Sequence, residues 1–376
     1  MKILSALISL ILFVPLLCFD ADAVDLREIG AKSAIVIDAD SGEVLFGKNE
    51  KQRLPMASTT KIMSALIALE RNDIDKEFVV DSNAIKVEGS SMGLKDGDKV
   101  TLRKLCVGML LPSGNDAANA AAVRIAGSVD KFVDLMNEKA SELGLADTHF
   151  VTPSGLDDYT DEHYSTAYDM ARLASEALKN EDFAAICCES SISIDINGEK
   201  RTLYNTNKLL GDCDGVVGVK TGFTDKAGRC LVSACQRKGK TLICVTLNDR
   251  SDWDDHRALY DHCFNYYVEV HLSESGKKLE IPVVGGASER IRCTVSDRSM
   301  TLLRGVSEKL KAEVYVQPFV YAPVKAGVAV GTVVYTSGGK EIARAPVLAD
   351  ESIKTKASKS KSGFLKEIWD ILEFVF

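Results

Sequence analysis

The sequence predicts a two-part α/β domain, an antiparallel sheet plus a helical cluster, followed by a small all-β domain and a C-terminal amphipathic helix. Three observations carry this. Between Ile62 and Leu178 apolar residues recur at helical spacing, whereas Val216 to Leu247 reads as β-rich runs broken by turn residues. From about His271 the texture changes to short Val, Ile and Leu runs separated by Gly and Pro. The chain then closes on Phe364–Phe376, apolar around most of a helix, behind a Lys/Ser-rich linker.

Lys2 precedes the apolar run Ile3 to Phe19, and Ala21-Asp22-Ala23 follows, the pattern of a signal peptide over residues 1–23 that exports the protein. That run is short for a membrane span and contains Pro15. Ser33–Asp38 and Glu43–Phe46 flank Asp40-Ser41-Gly42 as a β-hairpin. Ile62, Ala65, Leu66 and Leu69 mark a helix with one buried face, and Ser58 sits where it begins, behind Pro55. Leu102–Leu111 is a second helix, stopped at Pro112 so that Ser113-Gly114-Asn115 forms a turn before an alanine-rich helix, Asp116–Ile125. Val129–Leu143, capped by Ser128 and ended by Gly144, is a fourth. His149 to Asp158 is turn-rich. Its His149 and the later His163 have no Cys or His beside them at metal-ligand spacing, which leaves them as core or surface histidines.

Thr166–Leu178 is helical, and Ser191–Ile196 with Arg201–Tyr204 is a strand pair turning at Asn197-Gly198. Val216–Thr221, Cys230–Cys235 and Thr241–Leu247 are strands, the last two joined at Lys238-Gly239. Asp252–Tyr267 is a helix that completes a domain over 24–270. The all-β domain takes 271–349, with strands at Leu279–Val284, Lys311–Val316 and Val328–Tyr335. Residues 350–363 are the linker. Residues 364–376, wound as a helix, put Lys366, Glu367, Asp370 and Glu373 on one narrow polar face, which suits a membrane surface better than a span.

Ser58 and Lys61, three apart, project from one side of a first helical turn. A neutral lysine can take the proton of a serine and make it a nucleophile, provided burial and a second cation lower its pKa. Ser-x-x-Lys also occurs at Ser128, Ser275, Ser337 and Ser358, so the spacing alone is weak. Two further elements follow the first copy in order: Ser113-Gly114-Asn115, the only Ser-x-Asn, and Lys220-Thr221-Gly222, the only Lys-Thr-Gly.

With their surroundings, Pro55-Met56-Ala57-Ser58-Thr59-Thr60-Lys61, Leu111-Pro112-Ser113-Gly114-Asn115-Asp116 and Val219-Lys220-Thr221-Gly222-Phe223-Thr224, these elements resemble the penicillin-recognising serine acyltransferases. Within them they resemble the low-molecular-mass penicillin-binding proteins, the serine-type D-Ala-D-Ala carboxypeptidases, over residues about 30 to 350. The resemblance implies a β-lactamase/transpeptidase-like catalytic domain and assigns roles. Ser58 attacks the carbonyl of the penultimate D-alanine and Lys61 takes its proton. Ser113 relays a proton to the departing amine, and Asn115 orients Lys61 and the substrate amide. Lys220 and Thr221 grip the terminal carboxylate, Gly222 leaves room for the substrate, and the amides of Ser58 and Phe223 form the oxyanion hole. Arg250 lies where relatives place an arginine for that carboxylate, with an ordinary surface arginine as the other reading.

The implied activity is removal of the terminal D-Ala from peptidoglycan pentapeptide stems, with β-lactam antibiotics acylating the same serine and with no metal or organic cofactor. No Glu-x-x-Leu-Asn lies between Asn115 and Lys220, which lowers the β-lactamase reading. A transpeptidase of the same fold and a non-catalytic penicillin sensor remain open. The net charge of −8 over 376 residues argues against nucleic acid as a partner. Of 10 cysteines, Cys18 lies in the leader, and the odd remainder sits mostly in apolar runs, as reduced core residues would. The expected location is the extracytoplasmic face of the bacterial cell membrane.

Overall fold

A computed structural model describes residues 9–10, 29–272 and 279–357. The chain divides into two units between Asn265 and Tyr266, ahead of the change of texture at His271. The reason is β-pairing: Tyr267, expected to end a helix, instead opens a strand that pairs within the second unit. Most of residues 1–23, expected as a signal peptide, and all of 364–376, expected as an amphipathic helix, lie outside the described residues; the described pair β1 (Ser9–Leu10) pairs with a strand of the second unit.

In the first unit β2 (Ser33–Asp38) and β3 (Val44–Lys48) form the expected hairpin. A single 3-10 turn, Ala57–Thr60, then feeds α1 (Lys61–Leu69). Every residue of α1 is buried, Lys61 included, because the other helices surround it. After β4 (Phe78–Val79) and β5 (Lys99–Val100) come α2 (Leu102–Leu110), capped by the Thr101 hydroxyl, and α3 (Asn115–Ala126), ended by Gly127 in the left-handed region at φ 81°. Next are α4 (Val129–Glu142), capped by Ser128, α5 (Ala167–Ala177), capped by Thr166, and α6 (Glu181–Cys187), capped by Asn180.

The hairpin β6 (Ser191–Ile196) and β7 (Glu199–Tyr204) turns at Asn197-Gly198, with φ 55° and 84°, the positive pair that matches strand twist. β8 (Val216–Thr224), β9 (Gly228–Arg237) and β10 (Lys240–Leu247) complete an antiparallel sheet in the order β3-β2-β10-β9-β8, and α7 (Asp252–Phe264) follows. Alternation along β10 sorts its two faces: Ile243, Val245 and Leu247 join the apolar core with α1 to α6, while Thr246 faces α7. There the buried His256 bonds Ser233 Oγ at 2.7 Å and Thr246 Oγ1 at 3.1 Å. β8 is the end strand of this sheet, so its outer backbone groups are not taken up by another strand.

Among its described residues the second unit is all-β except for one short helix. Its strands are β11 (Tyr267–His271), β12 (Leu279–Val284), β13 (Arg290–Val295), β14 (Ser299–Leu303), β15 (Leu310–Val316), β16 (Val320–Tyr321), β17 (Ala329–Ser337) and β18 (Lys340–Ala349), with α8 (Arg304–Ser307) after β14. Six of them join β1 in a seven-stranded sheet of order β1-β15-β17-β18-β13-β12-β16, and β11 pairs with β14. Ile291, Cys293, Val333, Tyr335 and Val347 fill its core. Residues 350–357, expected to begin a free linker, instead lie against this unit, through bridges of Ile353 to Val324 and Thr355 to Gly286.

Candidate active site

Ser58 lies in the 3-10 turn and Lys61 is the first residue of α1, and side chains three apart eclipse in a 3-10 turn. That winding, tighter than the helical turn expected from the sequence, brings Lys61 Nζ to 2.9 Å from Ser58 Oγ. Thr59 and Thr60 hold the turn by donating their hydroxyls back to Met56 O at 2.6 Å and Ala57 O at 2.8 Å. Ala57, just before the nucleophile, sits at φ 49°, in a region that a residue with a Cβ seldom occupies.

Lys61 Nζ has two other partners, Asn115 Oδ1 at 2.8 Å and the Ser154 carbonyl at 2.7 Å. The orientation of the Asn115 amide is fixed, because its Nδ2 donates to Glu88 O at 2.7 Å. Both oxygens are pure acceptors, so a neutral amine would spend its two protons on them and turn its lone pair to the Ser58 hydroxyl. Lys61 is fully buried. Burial first, and the Lys220 cation second, hold its pKa well below the ordinary lysine value, against an opposing pull from Asp116. Lys220 is also buried, which brings its own pKa down to about 7.

The second motif arrives as expected, between two helices. Ser113 occupies the turn from α2 to α3 at φ 65° and is nearly buried. Among the described residues its hydroxyl makes no hydrogen bond to Ser58 or Lys61. The Asp116 carboxylate ties this turn to the preceding loop, accepting from Met92 N at 2.9 Å, Leu94 N at 3.0 Å and Ser91 Oγ at 2.6 Å.

The third motif lies on β8. Lys220 Nζ donates to Thr221 O at 2.7 Å, and Thr221 Oγ1 meets Thr206 Oγ1 at 2.7 Å. Thr206 in turn donates to Leu111 O at 3.3 Å, so it bridges the second and third motifs. A Cβ on Gly222 would stand 3.1 Å from Ser58 N and from Met56 O, which shows how closely β8 passes the nucleophile. The Phe223 side chain is 62% exposed.

The structure thus brings Ser58, Lys61 and Asn115 into one hydrogen-bonded cluster and runs the Lys220–Phe223 strand past it. Among the described residues no hydrogen bond or ion pair joins Arg250 to the cluster: it is an exposed residue in the turn after β10, whose Asp249 N donates to Arg229 O at 2.9 Å. The arginine that register sets beside the motif is Arg229, opposite Phe223, with its guanidinium paired to Asp252 and stacked over Trp253 at 5.2 Å. Sequence reasoning also missed Ser154 and Gly155. Gly155 has φ 89°, and a Cβ there would come within 2.0 Å of Ala57 O. His163 is a buried structural residue. Val151 N donates to its Nδ1 at 2.9 Å, so the proton is on Nε2, which donates to Thr60 Oγ1 at 2.8 Å. Its pKa is lowered to about 3, chiefly by burial.

Comparison with known proteins gives this arrangement a family. The profile described as D-alanyl-D-alanine carboxypeptidase matches residues 20–251. The chain belongs to this family. A second profile, the C-terminal domain of penicillin-binding protein 5, matches residues 267–355. Among curated relatives of the carboxypeptidase, DacF of Bacillus subtilis is 34% identical over 348 residues, 89% of this chain and 87% of that one. DacA of Escherichia coli K12 is 32% identical, covering 93% of this chain and 88% of its own. Among solved structures, the D-alanyl-D-alanine carboxypeptidase DacD from Francisella tularensis superposes with a TM-score of 0.63 at 28% identity, over 92% of this chain and 98% of that one. The carboxypeptidase is a serine peptidase with an α/β catalytic domain followed by a β domain.

Proposed function

We propose that the chain hydrolyses the terminal D-alanine from peptidoglycan stem peptides ending in D-Ala-D-Ala, through an acyl-enzyme on Ser58, and that β-lactams acylate the same oxygen. The observation that carries this is the buried Lys61 Nζ lying 2.9 Å from Ser58 Oγ with the oxygens of Asn115 and Ser154 on its other sides, an arrangement in which a neutral amine turns its lone pair to Ser58. Lys61 accepts the serine proton as the Oγ–C bond forms. The Ser58 and Phe223 amides stabilise the oxyanion, each donor worth about 3–4 kcal/mol in comparable sites.

Collapse of the tetrahedral intermediate breaks the C–N bond, and the departing amine takes its proton through Ser113. Water then attacks the ester and frees Ser58. Lys220 and Thr221 bind the substrate carboxylate, and that anion raises the Lys220 pKa and keeps it cationic. A stem peptide that lies along the outer edge of β8 extends the sheet by one strand. In the same reading residues 1–23 export the chain, and 364–376 lie as an amphipathic helix on the extracytoplasmic face of the membrane.

The test is release of D-alanine from a peptide ending in L-Lys-D-Ala-D-Ala. The parent protein releases it and forms a penicillin adduct; Ser58→Ala does neither. A parent that takes up penicillin yet releases no D-alanine, alone or with an acceptor amine, would leave sensing as the function.

A further inference from the structure

The all-β unit carries apolar side chains that its core does not use. In the parallel pair of β12 and β16, Val283 and Val320 are buried, whereas their register neighbours Val284 and Tyr321 are exposed, Tyr321 by 70%. Phe319 is exposed as well, and its ring meets Tyr321 edge-on with centroids 5.4 Å apart. β16 ends its sheet, so Tyr321 lies on an edge strand, with Phe319 just before it and Val284 on the strand beside it, and bare apolar surface there invites association unless something covers it.

The end of the described chain comes to the same place. Ala322 N donates to Val284 O at 3.0 Å, Val324 N to Ile353 O at 2.9 Å and Lys356 N to Gly285 O at 2.8 Å. Residues 353–356 therefore run beside the patch, and Lys325, Lys354 and Lys356, all exposed, are carried on these adjoining segments.

We propose that Val284, Phe319 and Tyr321, rimmed by Lys325, Lys354 and Lys356, dock on an anionic phospholipid surface. An aromatic pair with one phenol suits the headgroup region, and the lysines meet the lipid phosphates. The chain's own terminal segment is a poorer occupant: with Phe364, Trp369 and Phe376 among an apolar majority, it has far more surface to cover than two rings and a valine can hide. A lipid interface covers both. This inference rests on the reading that the enzyme works at a membrane face, but it places a second contact there, independent of the tail.

Flotation of the full mature chain with phosphatidylglycerol/phosphatidylethanolamine vesicles tests it, in the parent, the double variant Phe319→Ser/Tyr321→Ser, and Trp369→Ser. The double variant should lose about tenfold in partition while releasing D-alanine from a soluble peptide at the parental rate. In Tyr321→Trp, the added emission should shift to the blue when vesicles are introduced. Equal partition of parent and double variant would overturn the proposal. So would a Tyr321→Trp emission already blue before vesicles are added, because the tail or a second copy would then hold the patch. If Trp369→Ser keeps its vesicle binding while the double variant loses it, the tail anchor fails and the patch stands.

Discussion

Lys61 meets three oxygens, and as a neutral amine it has only two protons to give, a shortfall that suits it to act as a base. Its lowered pKa rests first on burial and second on the Lys220 cation, whose own pKa burial brings down to about 7. The sign follows: kcat/KM needs Lys61 uncharged and Lys220 charged, so it should fall as pH rises through about 7. The kcat limb should lie higher, since bound carboxylate raises the Lys220 pKa. Lys220→Arg, whose guanidinium does not titrate in this range, should lose the alkaline limb in kcat/KM; an unchanged limb would assign it elsewhere. Gly222→Ala should fold yet acylate with penicillin about 10²–10³-fold more slowly, because its Cβ pushes β8 off Ser58 N. The legible residues were those that act through side chains at fixed spacing, Ser58, Lys61, Asn115 and Lys220. Ser154 contributes only a carbonyl, which any residue type could supply, and the placing of Arg229 opposite Phe223 requires strand register.

At the scale of elements, the turn 152–157 touches both the segment that carries Ser58 and Lys61 and the strand that carries the third motif. Ser154 O holds Lys61, Gly155 presses on Ala57, and Asp157 accepts the Thr224 hydroxyl at 3.2 Å beside Phe223. The neighbouring Pro153 O accepts from Ser64, one turn along α1, at 2.6 Å. Gly155→Ala should therefore cost about 1–3 kcal/mol of stability and at least about 10² in acylation rate. Ser154→Ala, which keeps the carbonyl, should stay near parental activity. Measured in parallel by thermal melting and penicillin uptake, equal losses in the two variants would refute this division of labour. The helices and hairpins around the turn were legible because caps and Asn-Gly or Lys-Gly turns announce them. The turn itself was not, since its work is done by backbone and by the absence of a Cβ.

Over the whole molecule, the two units differ in what acid does to them. The catalytic unit buries two neutral histidines, His163 and His256, each with a pKa near 3, and two lysines with lowered pKa. All four bind more protons unfolded than folded, so their share of stability is complete only above the unfolded values and is lost as pH falls. For the histidines the window runs from about 6.5 down to about 3. The β unit has no buried histidine among its described residues. Calorimetry between pH 7 and 4 should show the catalytic transition falling, and His256→Gln should blunt part of the fall; a fall of unchanged size in that variant would remove His256 from the account. The domain order was legible from texture, but the boundary was not, because only pairing of β11 with β14 moves Tyr267 across it. The thiols offer a different use. All nine cysteines among the described residues are free, and Cys188 alone is exposed, beside a cavity walled by Leu178, Ala184 and Val217, three residues before Lys220. A maleimide fluorophore should therefore mark the native enzyme at this one described position, a built-in optical reporter of what happens on β8 when the nucleophile is acylated.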